Sequence, residues 1–450
     1  GHFLSFREQP NIQLQKWHKK YGPLIHLNMG AQHWIMISDP YIAHEIFVKN
    51  GAKTSGRHEH SFSYEKYAKA GSGIIFSHPG KKLNSALANA MRILSHQNVD
   101  QCIEEFEFTA ETTLAQMMEA TEREGSVDPS IYLKLGAYNT LIKAIFGRNI
   151  SSINDPVFKD LLQVTQNVLQ CSSPHRDIKS LFPRLAWLEC LIGNNKKKEK
   201  IVSSRDELYG RLLKEALDGD ADCLAKEIYL LKEEQELEEK DLIVIYIGDL
   251  IVAGETASTY MMWFFAIISQ YTDIQKKMCE EIDKFISDTG RIPGFSDRDL
   301  LPYLCCVLKE NGRFRSPSNF GIPHTVNADI RVSGYFIPKG TILMASMHAM
   351  HANEEVYTDP SRFLPERFNK SNKMWNTSTN GPIKERETYI FGWGRRTCPA
   401  IYFTEVEIFN MCVRTLARCS IEPEFDKEGN PMLVDLNLSN SLGLGSVPVP

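Results

Sequence analysis

The chain has 450 residues, 42% of them hydrophobic, enough to bury a large core as one big domain or as two or three ordinary ones. A net charge of -5 and a pI near 6.3 give no overall basic field, which argues against nucleic acid as the partner. The ten cysteines lack the regular close spacing of a disulfide framework or a CxxC zinc module, so they read as mainly structural thiols in a reducing compartment.

The first residues, GHFLSFREQPNIQLQKW, hold neither a signal peptide nor a spanning helix. Two apolar runs, YGPLIHLNMG and QHWIMISD, separated by glycine, predict a β-hairpin. YIAHEIFVKNG then predicts a helix closed by Gly51. From about residue 80 to 315 the periodicity is helical, and the charged runs at 194–200 and 231–241 read as exposed linkers or helix entries. A second hairpin signal spans 329–346, with turns at Ser333-Gly334 and Lys339-Gly340. The pattern is mainly α with a small β part: strands from about 20–60 and 318–346, and a helical body at about 80–315 and 398–420.

Within that body, Asp241 to Gln270 is apolar almost all round, which fits a central buried helix better than a membrane span, because Asp249 and Glu255 would sit near the bilayer middle. At 100° per residue Ile245, Asp249, Val252, Thr256 and Thr259 share one face, so polar groups point into apolar surroundings. A threonine bonded back one turn and a glutamate paired with a distant arginine would satisfy the same pattern. Further on, Glu310 and Arg313 lie three apart on a helix, and Arg367 in PERF is available as a second cation for Glu310. Near the end, FGWGRRTCPA places Cys398 between two arginines and the start of an amphipathic helix. Arg395, Arg396 and the helix dipole should favour a thiolate there, as nucleophile or metal ligand.

That loop resembles the haem-binding signature of the cytochrome P450 superfamily at Phe391, Gly394, Arg396 and Cys398. Glu255-Thr256, Glu310-x-x-Arg313 and PERF follow the family order, and the similarity spans nearly the whole chain. The resemblance implies the cytochrome P450 fold as a single catalytic domain over 1–450, with haem b between the long central helix and the cysteine loop. Cys398 would ligate the iron, Phe391 pack beside the sulfur, Gly394 admit the macrocycle, and Arg396 and His324 hold propionates. Thr256 and Glu255 would deliver protons to dioxygen, and Glu310, Arg313 and Arg367 would form a structural lock.

A substrate pocket of Val252, Ala253, Phe320, Ile322 and Leu442 would be largely apolar, suiting an apolar small molecule. The implied partners are O2, NADPH-cytochrome P450 reductase docking at Arg395, Lys81 and Lys82, and cytochrome b5. The form of the motifs suits the eukaryotic microsomal branch, of fungal type, anchored on the cytosolic face of the endoplasmic reticulum by a helix preceding Gly1. Three sites depart from the family pattern. Leu83 and Leu87 stand where a tryptophan and an arginine usually clamp a propionate, leaving Arg92 or Lys82 as substitutes. Ala400 replaces a glycine, which is tolerable only at negative φ, and Ala253 stands where a glycine is usual before the acid-threonine pair. A hydroxylating monooxygenase is the leading reading. A haem-thiolate isomerase or dehydratase and a degenerate non-catalytic relative are the alternatives.

Overall fold

The computed structural model describes residues 2, 9–173, 176–187, 194–238, 241–369, 371–442 and 445–449. The expected hairpin forms from β1 (Leu24–Met29) and β2 (Gln32–Ile37). It joins β3 (Gly56–Arg57), β4 (His324–Thr325) and β7 (Ile342–Ala345) in a five-stranded sheet ordered β1-β2-β7-β4-β3, in which β2 and β7 run parallel. The second hairpin forms between β5 (Ile330–Val332) and β6 (Tyr335–Ile337), where Ser333 (φ 50°) and Gly334 (φ 83°) make a two-residue left-handed turn. The turn at Gly340 closes no hairpin. It sends β7 into the large sheet, because β7 is buried at all four residues and needs cover on both faces.

Gly51 does not close the helix that starts at Pro40. That helix widens into one π-type turn over Glu45–Lys49 and ends at Asn50, and Gly51 opens a separate short helix to Thr54. The role of Gly51 is spatial: the Arg395 stem lies 3.6 Å from where its Cβ would be.

Six helices position the site: α1 (Lys81–Leu94), α2 (Ser130–Phe146), α3 (Asn194–Asp218), α4 (Asp241–Ile268), α5 (Pro302–Phe314) and α6 (Ile401–Arg418). The segment 194–200 is the first part of α3 rather than a linker. Val244–Ile268 is long and apolar enough to cross a membrane, yet most of it is buried against α2, α5 and α6, as its all-round hydrophobicity requires. Gly254 lets α4 approach α2 closely, since a side chain there would meet Leu141 at 3.1 Å and Tyr138 at 3.4 Å. Helix α5 starts with Pro302, and its first amides, from Tyr303 and Leu304, donate to the Glu281 carboxylate at 2.9 and 3.0 Å. One hydrophobic cluster runs from Phe62 to Ile421 and includes residues of α1, α2, α3, α4, α5 and α6.

Candidate functional site

The cysteine loop is shaped by two glycines in the left-handed region, Gly392 (φ 75°) and Gly394 (φ 57°). Gly394 is obligatory by contact as well, because a Cβ there would strike the Phe47 carbonyl oxygen. Arg386 braces the loop by donating to the Gly392 carbonyl at 2.5 Å and stacking 4.0 Å from the Trp393 ring, which itself stacks on Tyr389. The Cys398 amide donates to the Phe391 carbonyl at 2.9 Å, and the Phe391 ring lies 5.5 Å from Trp375. Ala400 caps α6 at φ -96°, so the methyl group that replaces glycine costs no backbone strain.

The expectation that Arg395 and Arg396 create a thiolate is corrected. Burial pushes the Cys398 thiol up, and only the Ala400 amide opposes it. Arg395 is exposed on the far side of the loop, and Arg396 turns away to donate to the carbonyls of Ser77 (2.7 Å) and Ile75 (3.3 Å). A thiolate at Cys398 therefore needs a metal ion to stabilise it.

Arg396 meets a residue that the sequence reading missed. Arg57 is the direct cross-strand partner of His324 in the β3–β4 pair, so both side chains lie on one face of the sheet. Arg57 donates to the same Ile75 carbonyl at 2.9 Å and to the Ile322 carbonyl at 3.2 Å. His324 Nδ1 is 2.8 Å from the Thr54 carbonyl, and its ring packs on Phe47.

Burial first, and then the Arg396 charge, push Arg57 far down. Arg396 is lowered to about 10 by burial, and His324 is held neutral by burial and by Arg57. Among the described residues no carboxylate is ion-paired to either guanidinium, and Arg396 Nε has no hydrogen-bond partner. Two mutually repelling guanidiniums, Arg57 buried and Arg396 half-buried, the latter two residues from the half-buried Cys398, fit an iron macrocycle with carboxylate arms. Of the two substitutes named from sequence, Arg92 pairs with Glu227 at the surface (3.0 Å) and Lys82 is exposed, while Leu83 is core.

Behind the loop, Glu310 is fully buried and accepts two bonds of 2.7 Å from Arg313, a third of 2.8 Å from the Leu364 amide, and an ion pair of 3.0 Å from Arg367. The three residues predicted as a lock thus meet. Gly312 between them lies against Tyr260 and Ile390, both 3.0 Å from where a Cβ would be, so it serves close packing of α5 on α4.

On α4 the predicted acid and alcohol are not brought together. Thr256 is solvent-accessible in mid-helix, as is Ala253, with Val252 half-buried, so this stripe lines a cleft. Ser258 bonds back to the Glu255 carbonyl at 3.1 Å, while among the described residues no hydrogen bond holds the Thr256 hydroxyl. Glu255 turns to the other side and is buried against α2. There Lys134 Nζ is 3.2 Å from its Oε2, although neither carboxylate oxygen finds an aligned hydrogen bond. The cation is a lysine of the neighbouring helix, where the sequence suggested a distant arginine.

Of the pocket residues, Val252 and Ala253 lie on the Thr256 stripe. Ile322 is half-buried beside Arg57, and Phe320 packs with Trp17 and Phe182 against the β1–β2 core. The side chain of Leu442 lies outside the described residues. Nor is the stripe wholly apolar. Asp249 sits at its end, fully buried, accepting the amides of Ile74 (2.6 Å) and Ile75 (3.2 Å) on Oδ2.

A thiol loop on one side, an anion cradle at its edge and a long roofing helix define a haem-binding enzyme site in a mainly helical fold. The profile of the cytochrome P450 family matches residues 1–442, and the chain belongs to that family. It is 24% identical over 447 residues to cytochrome P450 monooxygenase 226 of Postia placenta, covering 97% of this chain and 82% of that one. To cytochrome P450 monooxygenase COX2 of Coprinopsis cinerea it is 27% identical, covering 96% and 84%. A zebrafish cytochrome P450 solved with abiraterone shares the fold at a TM-score of 0.78 and 23% identity, covering 98% of this chain and 97% of that one. The chain is accordingly an oxidoreductase, a haem-thiolate monooxygenase that uses haem iron, O2, a redox partner and a small-molecule substrate.

Proposed function

We propose that residues 1–450 form one catalytic domain that binds haem b and hydroxylates an apolar small molecule, with electrons from an NADPH-dependent reductase and cytochrome b5 as a second donor. The carrying observation is the guanidinium pair, buried Arg57 and half-buried Arg396, which share the Ile75 carbonyl and, among the described residues, form no ion pair with a carboxylate. On this reading Cys398 is the iron ligand, its sulfur oriented by the Ala400 amide and shielded by Phe391. Arg57, Arg396 and His324 hold the two propionates, and their arrival relieves the repulsion between the guanidiniums.

When bound, the haem supplies dioxygen activation and the oxidising equivalents. Thr256 holds a proton at its hydroxyl on the cleft wall, and Glu255 supplies it after leaving Lys134. Val252 and Ala253 present the apolar wall that orients the substrate and excludes water. The Glu310–Arg313–Arg367 cluster keeps α5 and the PERF turn fixed behind the loop.

The fungal relatives and the exposed Leu185 and Trp187, which follow exposed Arg184 beside the hairpin turn at Gly30, support placement on the cytosolic face of the endoplasmic reticulum. Tryptophan beside a basic residue suits a headgroup interface.

The test is the carbon monoxide difference spectrum of the dithionite-reduced protein beside Cys398→Ala, followed by turnover under isotopically labelled O2 with a reductase. A thiolate-type Soret band lost in the variant, with one labelled oxygen in the product, is expected. A retained band in Cys398→Ala would remove that residue as ligand, and unlabelled product would favour the isomerase alternative.

A further inference from the structure

The Thr256 stripe ends at a pair of polar groups that the chemistry above does not use. Asp249 commits Oδ2 to the Ile74 and Ile75 amides, yet its Oδ1 is buried with no hydrogen-bond partner. The Tyr67 hydroxyl is likewise buried and unpartnered, and it senses the Asp249 charge. Arg205 stacks its guanidinium 4.5 Å from the Tyr67 ring centre while donating to the Tyr67 carbonyl (2.7 Å) and to Asp206, and Phe76 packs edge-on against the same ring. The hydroxyl reaches α4 because residue 248 is glycine, for a Cβ there would lie 3.1 Å from it and 2.9 Å from the Tyr209 ring.

A buried acceptor and a buried phenol left unpaired each cost stability, and both are held rigidly at the end of the cleft. Burial raises the Asp249 carboxyl to about 6, so near neutrality it is mainly ionised and accepts only.

We propose that Asp249 Oδ1 and the Tyr67 hydroxyl form a subsite for an alcohol group on the substrate. This rests on the monooxygenase reading and narrows its substrate class to an apolar body carrying one hydroxyl. A single hydroxyl complements both groups, donating to Asp249 Oδ1 and accepting from Tyr67. A ketone would satisfy Tyr67 but leave the carboxylate facing a second acceptor, and a hydrocarbon would satisfy neither.

Asp249 lies seven residues before Thr256 on the same face, so the alcohol anchors about 10 Å along the helix from the carbon that is oxidised. The subsite is roofed by the segment from Lys69 to Ile75. Lys69 (φ 42°) and Ala70 (φ 60°) are held there in the left-handed region, followed by Gly71 and Gly73. Besides Asp249, the Ser77 hydroxyl on the Gly73 carbonyl and Arg57 and Arg396 on the Ile75 carbonyl hold this segment over the subsite.

Equilibrium dialysis of the holoprotein against 4-phenylcyclohexanol, 4-phenylcyclohexanone and cyclohexylbenzene tests the assignment. The wild-type chain should bind the alcohol about tenfold more tightly than either analogue, the factor expected for an unpaired buried polar group. In Asp249→Asn the single side-chain oxygen stays on the Ile74 and Ile75 amides, which puts an NH2 donor where Oδ1 was, so the preference should invert toward the ketone. Tyr67→Phe should weaken the alcohol about tenfold and leave the hydrocarbon unchanged.

Equal binding of the three probes by the wild type, or an unchanged ranking in Asp249→Asn, overturns the subsite. The carbon monoxide spectrum of the same samples separates the two layers. A missing thiolate band with the alcohol preference intact would sink the monooxygenase reading alone, whereas a normal band without the preference would sink only the subsite.

Discussion

Arg57 and His324 face each other directly across the antiparallel β3–β4 pair, although 267 residues separate them in the chain. Their register carries a charge at the sheet edge to the rim of the cysteine loop, where Arg396 arrives from the other side and shares the Ile75 carbonyl. On the proposed reading Arg57 takes the clamping role that Leu83 and Leu87 leave open.

The first prediction concerns that clamp. Arg57→Leu should lose haem to excess apomyoglobin about 10 to 100 times faster than the wild type, since a hydrogen bond to a charged group contributes about 1.5–3 kcal/mol. Arg92→Leu, at a surface pair with Glu227, should leave the rate unchanged. Equal rates in Arg57→Leu and the wild type would remove Arg57 from the propionate site.

The part of the site readable in the sequence is the part written in short local spacing. The glycines around Cys398, the three-residue step from Glu310 to Arg313 and the PERF turn each act within one turn of chain, and the structure brings them where the pattern implied. Arg57 gave no such signal, because β3 has only two residues and no periodicity, and its meaning comes from register with a distant strand. The two arginines beside Cys398 misled for the opposite reason. They are close in sequence, but the loop points Arg396 at Ile75 and Ser77 and leaves Arg395 in solvent, so proximity along the chain does not become proximity of charge. Asp249 was placed on the correct helix face, but the two amides that hold it come from 74 and 75, where no pattern marks a contact with α4.

A second prediction ranks the lock. Glu310→Gln and Arg313→Ala should each cost about 3–5 kcal/mol, because each leaves buried charge uncompensated. Arg367→Ala should cost less. Its Nε is 3.0 Å from Glu310 without hydrogen-bond alignment, and its other donors reach only backbone carbonyls such as Thr358. Denaturant unfolding followed by the Soret band reads the order, and an Arg367→Ala loss equal to that of Arg313→Ala would refute it.

A third prediction uses pH. The Asp249 carboxyl is raised to about 6 by burial, against the pull of the Ile74 and Ile75 amides, Arg205 and Arg396, while Tyr67, Tyr209 and Tyr246 face it as well. The folded chain therefore binds more protons than the unfolded one between about pH 4 and 6. Across that window the carboxyl removes stability as pH rises, by about 2–3 kcal/mol, and the loss stays constant above it. Asp249→Asn lacks the titration, so its stability relative to the wild type should be higher at pH 7 than at pH 4.5. Parallel unfolding curves at the two pH values would show that the carboxyl is not raised.

A fourth prediction addresses electron entry. Arg395 is exposed on the cysteine loop, its stem lying over Gly51, and Lys81 and Lys82 are exposed at the start of α1. Reversing the charge with Arg395→Glu should slow the first electron transfer from an acidic reductase about tenfold at low salt, with the difference shrinking as salt screens it. Substrate affinity should not move. A reduction rate that ignores both the substitution and the salt would take Arg395 out of the donor site.

The last prediction concerns Lys134 and Glu255, which bury a charge pair on the side of α4 away from Thr256. Removing the lysine alone strands a carboxylate in the core, and replacing the glutamate alone strands an ammonium, whereas removing both strands neither. Lys134→Met and Glu255→Gln should each destabilise the chain, and the double variant should recover about 1–3 kcal/mol of the summed loss, as expected for residues in contact. Stability alone does not separate a structural pair from a proton source. The second readout is therefore the solvent deuterium isotope effect on turnover, which Glu255→Gln should raise without moving the carbon monoxide band or substrate affinity. If the cycle shows coupling while the isotope effect stays fixed, the pair is structural and the proton reaches Thr256 by another route.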